Sequence, residues 1–218
     1  MPMKRFFLLL AMALPLSLAA QEAPKGIPAD VYYLMPQFSP GYIYFRGQMP
    51  AQGKLNICAV DNTLRFIDKD GKELAAMDEA NIVRVRIDTV TFLRSDGLYY
   101  RLYPVQTDWG IAVLRKVRII RDQKEAGYGG TTQTSAVREY GAIYSEGAIH
   151  QFDSDKVYPY ESSEDLFLYR GETAFPLSKR NVKKLFPSRK ADIDAWFKQG
   201  GSLPETLDGL REFLALWY

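Results

Sequence analysis

The stretch Val90–Val105, VTFLRSDGLYYRLYPV, decides the fold class. Asp96-Gly97 is a turn pair flanked on both sides by β-branched and aromatic residues, the pattern of a β-hairpin closed by a two-residue turn. That register sets Arg94 opposite Tyr99, Phe92 opposite Arg101 and Val90 opposite Tyr103. Side chains alternate across a strand. One face of the hairpin therefore carries Phe92, Arg94, Tyr99, Arg101 and Tyr103, and the other Thr91, Leu93, Tyr100 and Leu102. The second set is the expected core. The first interleaves guanidinium groups with aromatic rings and is the expected contact face, because such groups together bind sugars, polyanions or another protein. The alternative is a set of cross-strand pairs on a solvated face.

The same grammar extends upstream. NIVRVRID, residues 81–88, alternates, with Val83, Val85 and Ile87 on one side and Arg84, Arg86 and Asp88 on the other. One core face and one wet face suit an antiparallel sheet. In TLRFIDKDGKELAAM, residues 63–77, a two-residue turn would set Lys69 against Lys72. A three-residue loop, Lys69-Asp70-Gly71, instead sets Asp68 against Lys72 and Phe66 against Leu74, with Gly71 in the left-handed position. DKDG resembles the start of a calcium loop, but no glutamate stands in the closing position, so a plain turn is expected. Downstream, GIAVLRKVRIIRD, residues 110–122, predicts a further strand with a bulge near Arg115-Lys116. Residues 84–121 hold eight basic and three acidic side chains, a mild local preference for anions without a nucleic-acid signature.

The ends of the chain have a different character. Lys4 and Arg5 precede an apolar run, Phe6–Leu18, and the small residues Ser17-Leu18-Ala19-Ala20. This is the layout of a secretory signal peptide over residues 1–20, since the run is shorter than the roughly 18–20 residues that span a bilayer. Removing Lys4 and Arg5 from 28 basic side chains leaves 26, level with the 26 acidic ones, so the remainder carries no net field toward nucleic acid or an anionic membrane. No transmembrane segment is expected after cleavage. Cys58 is the only cysteine and His150 the only histidine. An internal disulfide is impossible and an ordinary zinc site is not expected. Cys58, between Ile57 and Ala59, is expected to be a buried, inert strand thiol.

KEAGYGGTTQTSAV, Lys124–Val137, contains three glycines. A phosphate-binding loop would follow its last glycine with lysine and a hydroxyl residue leading into a helix. Thr131 follows instead, so the stretch is expected to be an excursion between two parts of the fold. ESSEDLFLYRGETAFPL, residues 161–177, predicts a hairpin turning at Arg170-Gly171-Glu172. Helices then follow. Ser178 caps KRNVKKLF, Ser188 caps RKADIDAWFKQ, Gly200-Gly201 stops it, and Ser202 with Glu205 forms a capping box. Leu203, Leu207, Leu210, Leu214 and Trp217 make the apolar stripe of the last helix. The fold class is α+β: an antiparallel β-rich body over 21–125, a Gly/Thr-rich connection over 126–150, and a C-terminal hairpin with short helices over 151–218.

GYIYFRGQMPAQGKLNICAVDNTLRFIDKDGKEL, residues 41–74, followed by FPLSKRNVKKLFPSRKADIDAWFKQ, residues 175–199, resembles uncharacterised secreted proteins of Bacteroidota-type bacteria. Ile57-Cys58 departs from the Asn-Tyr-Asn-bearing stretch common there. The resemblance implies an exported or envelope location and brings no catalytic residues with it. A non-catalytic binding or structural accessory of the envelope is therefore expected, with an envelope protein or a glycan as partner and no cofactor, metal or nucleic acid. Two alternatives stand beside it. One is a hydrolase using carboxylates among Glu161, Glu164, Asp165 and Glu172. The other is a small-ligand carrier, whose sign would be a closed barrel.

Overall fold

The computed structural model describes residues 27–119 and 159–218. The signal peptide expected over residues 1–20, the Gly/Thr-rich stretch and His150 lie outside the described residues. A short helix α1 (Ala29–Tyr32) precedes eight strands: β1 (Ser39–Phe45), β2 (Ala51–Cys58), β3 (Thr63–Ile67), β4 (Glu73–Ala75), β5 (Ile82–Ile87), β6 (Val90–Ser95), β7 (Leu98–Pro104) and β8 (Trp109–Ile119). The second described stretch contributes β9 (Tyr160–Arg170), β10 (Thr173–Pro176), α2 (Lys179–Leu185), α3 (Lys190–Lys198) and α4 (Leu207–Ala215). All strands join one antiparallel sheet in the order β10-β9-β8-β7-β6-β5-β1-β2-β3-β4. The C-terminal hairpin is thus part of the same sheet as the body.

Turn chemistry sets much of the register. Phe66 pairs with Leu74, and Gly71 has φ +80° at the tip of the β3–β4 hairpin. Asp96 and Gly97 both have positive φ, 49° and 77°, which is the two-residue turn whose twist matches its strands. It aligns Phe92 with Arg101 and Arg94 with Tyr99. The recorded β6–β7 pairing runs from Phe92↔Arg101 to Ser95↔Leu98 on the expected register, while on their outer sides Val90 pairs with Ile87 and Tyr103 with Ile111. β8 and β9 pair without a break from Trp109↔Arg170 to Ile119↔Tyr160, so the bulge expected at Arg115-Lys116 is not there. A register shift lies instead between Tyr44 and Phe45, where Phe45 meets Ile82. It buries Ile82 to 5% exposure and leaves Val83 half-buried.

The sheet is rolled in two directions. In a flat sheet β3 and β7 would stand five strand spacings apart, about 24 Å. Yet Asn62, at the entrance to β3, accepts a hydrogen bond from the Tyr99 amide at 2.6 Å. The near half therefore curls onto one face and encloses Ile43, Leu55, Ile57, Leu64, Val85, Ile87, Phe92 and Tyr99. At the other end β10 returns toward β6, where the Ala174 amide donates to Ser95 Oγ at 3.2 Å. That curl encloses the opposite face: Leu93, Tyr100, Leu102, Ala112, Leu114 and Tyr169. The sheet is S-shaped in section, with β4 and β10 as its edges, and is not a closed ten-stranded barrel.

Helices cover what the rolls leave open. Trp109, Ile111, Val113 and Leu168 share the face that bears Tyr99 and Phe92, and pack under Val182, Leu185, Phe186, Ile193, Leu210, Phe213 and Leu214. Ser178 caps α2, accepting from the Asn181 amide at 3.2 Å. Ser188 lies within a 3-10 turn, Pro187–Arg189, and α3 starts without a side-chain cap. α4 is capped by Thr206, which accepts from the Gly209 amide at 3.2 Å, and not by the Ser202–Glu205 box. The sequence holds two capping signals four residues apart; the later start leaves 202–206 non-helical and places Leu203 at the core edge.

Candidate functional site

The five residues of the expected contact face separate. Phe92 is 1% exposed and Tyr99 0%, both inside the first roll, so neither can touch a partner. The expectation of one exposed face fails because the sheet curls over it, an event of long range that alternation within one hairpin cannot report. The opposite face is covered as well, by the second roll.

Arg94 serves the fold. Its Nη1 lies 2.7 Å from Glu79 Oε2, its Nε donates to the Glu79 carbonyl at 3.0 Å, and Nη1 donates to the Gly97 carbonyl at 3.0 Å. Its guanidinium lies over the Tyr99 ring, 5.0 Å from the centroid. Glu79 is 4% exposed and accepts from the Leu64 amide at 2.8 Å. Glu79 sits in the connection that carries the chain from β4 back to β5, so the pair clamps that connection to β3 and to the β6–β7 hairpin. Burial raises the Glu79 pKa, and the Arg94 guanidinium offsets only part of the rise. The Tyr99 phenol is likewise pushed up by burial and by the neighbouring Glu79.

Arg101 and Tyr103 remain at the surface, the first exposed and the second half-buried. Arg101 lies over the Tyr103 ring at 5.3 Å, and Arg211 of α4 lies over the same ring at 5.3 Å. Twice 5.3 Å sets the limit: the two guanidinium carbons are at most 10.6 Å apart. Arg211 is positioned because Thr206 starts the helix and Leu210, Phe213 and Leu214 turn into the core. Asp208, one turn back, accepts from Arg211 Nη1 at 2.9 Å. Arg101 opposes Val113, and Arg115 follows on the same face of β8, opposite Glu164. Among the described residues this strip is the part of the face left uncovered between the roll on one side and the helices on the other. Arg211 was beyond hairpin-level reasoning, since nothing in REF, residues 211–213, points at Tyr103.

A second arginine–tyrosine arrangement lies on the other face. Arg86 opposes Tyr42 and lies over its ring at 5.1 Å, with Tyr44 next along the strand at 6.4 Å between ring centroids. Alternation in YIYF against RVR carried that signal. Beside it Arg84 donates to the Gly171 carbonyl at 2.8 Å, and Arg46 pairs with Glu172 at 3.0 Å. These two arginines dock the tip of the β9–β10 hairpin.

Of the carboxylates of the hydrolase alternative, Glu161 and Glu164 lie at exposed positions of β9, Asp165 is half-buried on the same strand and Glu172 sits at the β9–β10 turn. Glu161 pairs with Arg118, Asp165 with Lys116 at 2.6 Å, and Glu172 with Arg46. Cys58 is fully buried, and burial pushes its thiol up to about 12, which suits the inert role expected of it. An apolar cavity of about 90 Å³ opens inside the first roll, lined by Ile43, Phe45, Leu55, Phe66, Met77 and Ile82 among others. That is well below the roughly 300 Å³ at which small-molecule sites begin. Among the described residues no three His, Cys, Asp or Glu side chains are grouped to hold a metal, and no helix is long and apolar enough to cross a membrane. Comparison with protein-family models, with curated proteins and with solved structures gives no match.

Proposed function

We propose that this chain is an exported, non-catalytic binding or structural accessory of the cell envelope, and that it meets its partner through the Arg101–Tyr103–Arg211 strip. The observation that carries the reading is the pair of guanidinium groups over one half-buried tyrosine ring, in the gap between roll and helices. Side chains gathered from β7 and α4 form a rigid, donor-rich patch, and arginine and tyrosine are the residue types that dominate contact energetics. Export rests on the Lys4–Ala20 pattern. The solvent-facing pairing of Glu161, Asp165 and Glu172 favours binding over carboxylate catalysis, which needs two groups converging on one bond.

The test is retention on isolated envelope material. The double variant Arg101→Ala/Arg211→Ala should stay folded and lose no more than about 1–2 kcal/mol, because exposed cation–ring contacts contribute only about 0.5–1 kcal/mol each. It should be retained markedly less than wild type. Equal retention would assign the strip to stability alone. Turnover of a glycan or peptide that disappears in Glu161→Gln or Glu164→Gln would replace the binding reading with the hydrolase.

A further inference from the structure

Resting on that reading of the strip, we infer that its ligand is an acidic glycan, recognised through carboxylate groups. The charge balance comes first. Arg101, Arg115 and Arg211 share the strip, and among the described residues Asp208 lies beside Arg211 and Glu164 opposite Arg115. Asp208 is spent on Arg211 within its own helix. Arg101 has an aromatic contact and no anion partner among the described residues. Two guanidinium groups no more than 10.6 Å apart are held over one ring, so like charges are concentrated there with one acid to offset them.

Pre-organisation comes second. A guanidinium resting on a ring has already lost much of its rotamer freedom, so a bound oxyanion costs less ordering than it would at a free lysine. Its planar fork matches a carboxylate with two parallel N–H donors.

The choice of a glycan over a protein follows from what the strip lacks. A protein partner's anchoring residues fill a desolvated pocket. The apolar cavity inside the first roll lies among β1, β2, β3 and the β4–β5 connection, away from β7 and α4. Among the described residues no second aromatic ring stacks on Tyr103, whose ring carries the two guanidinium groups. The strip thus offers N–H donors and positive charge, its one aromatic ring already covered by guanidinium groups. A hydrophilic polymer bearing repeated carboxylates needs only those.

The experiment titrates the chain, purified without residues 1–20, with an oligogalacturonate and with its methyl ester by calorimetry. Saturable binding of the acid, weakening with added salt, is expected, with none of the ester. Arg101→Ala and Arg211→Ala should each weaken binding roughly tenfold or more, the size expected for a lost charge-assisted hydrogen bond. Arg101→Lys should restore part of it, since charge returns without the fork; urea unfolding of each variant excludes misfolding as the cause. Equal binding of acid and ester, binding of neither, or binding of inorganic phosphate in preference to the oligogalacturonate would overturn the inference. Envelope material with its carboxyl groups blocked separates this failure from failure of the contact reading. If wild type retains blocked and native material equally while Arg101→Ala/Arg211→Ala retains neither, the strip is a contact surface and its ligand is not an acidic glycan.

Discussion

One face of a single sheet is covered in two ways, and the two halves differ in what the cover costs. Over β1–β6 the sheet rolls onto itself around a mostly aliphatic interior. Closing that roll requires the connection from β4 to β5 to cross its open side, and there the molecule buries an ion pair, Glu79–Arg94. Over β8 and β9 three helices supply the cover. Their core is aromatic: Trp109 of the sheet stands edge-on to Phe186 at 5.2 Å, and among the helices Trp196 is tilted on Phe213 at 5.0 Å and Phe213 edge-on to Trp217 at 5.8 Å. A rolled sheet has fixed backbone directions at its seam, so polar groups are trapped and must be paired. Docked helices satisfy their own backbone, and their ions stay at the surface, as Lys179, Lys183 and Asp194 do. Among the described residues, the Arg101–Tyr103–Arg211 strip lies between the two covers.

The largest effect expected from breaking one side of this comparison is Glu79→Ala. It leaves the half-buried Arg94 guanidinium without its carboxylate partner and the Leu64 amide without an acceptor. Losing one member of a buried pair costs about 3–5 kcal/mol. Urea unfolding should show that loss, and a cost below about 1 kcal/mol would mean that the roll closes without its clamp. On the helical side the matching break is Leu210→Ala. Leu210 is fully buried between α4 and the sheet, so the variant loses apolar contact and leaves a cavity. A cost of about 2–5 kcal/mol is expected, in the lower part of that range where neighbouring Phe213 and Leu214 close the gap. A pair of unfolding curves that moved together in both variants, with one transition each, would show that the two covers stand or fall as one unit.

Sequence pattern carried the fold as far as its local rules run. The hairpin at Asp96-Gly97, the three-residue loop at Gly71 and the Ser178 cap are short-range chemistry, and each is found in the structure. The strand order was not legible, because β1 lies between β2 and β5 by a pairing that no turn dictates. Nor was the roll, and the roll decides the fate of the contact face. Phe92 and Tyr99 alternate with Leu93 and Tyr100, and both sets are buried because each face is enclosed at a different end of the S. Arg94 could have been suspected only from Glu79, an acid in an otherwise unremarked connection. Of the five candidates, Arg101 and Tyr103 are where exposure permits contact, and the residue that completes them, Arg211, comes from a helix docked on the far half.

The smallest effect is a difference in pH response between the two covers. Glu79 has its pKa raised above the ordinary 4.5 by burial, so the folded chain holds that proton more tightly than the unfolded chain does. The stability it contributes is fully present below about pH 4.5 and is lost as pH rises through the folded value. Asp194 is the reverse. Its hydrogen bonds with Lys179 and Lys183 lower its pKa from 3.8, so its contribution is present above that value and lost as pH falls through the lowered one. Glu79→Gln removes the titration while its amide oxygen can still accept from the Leu64 amide, and Asp194→Asn does the same on the helices. Urea midpoints of wild type and both variants from about pH 3 to about pH 8 separate the two. Wild type should lose ground against Glu79→Gln as pH rises from about 4.5, and lose ground against Asp194→Asn as pH falls below about 3.8. A Glu79→Gln curve parallel to wild type would mean that the Arg94 guanidinium cancels the cost of burial in full, and the seam of the roll would then be no more costly in charge than the surface ions of the helices.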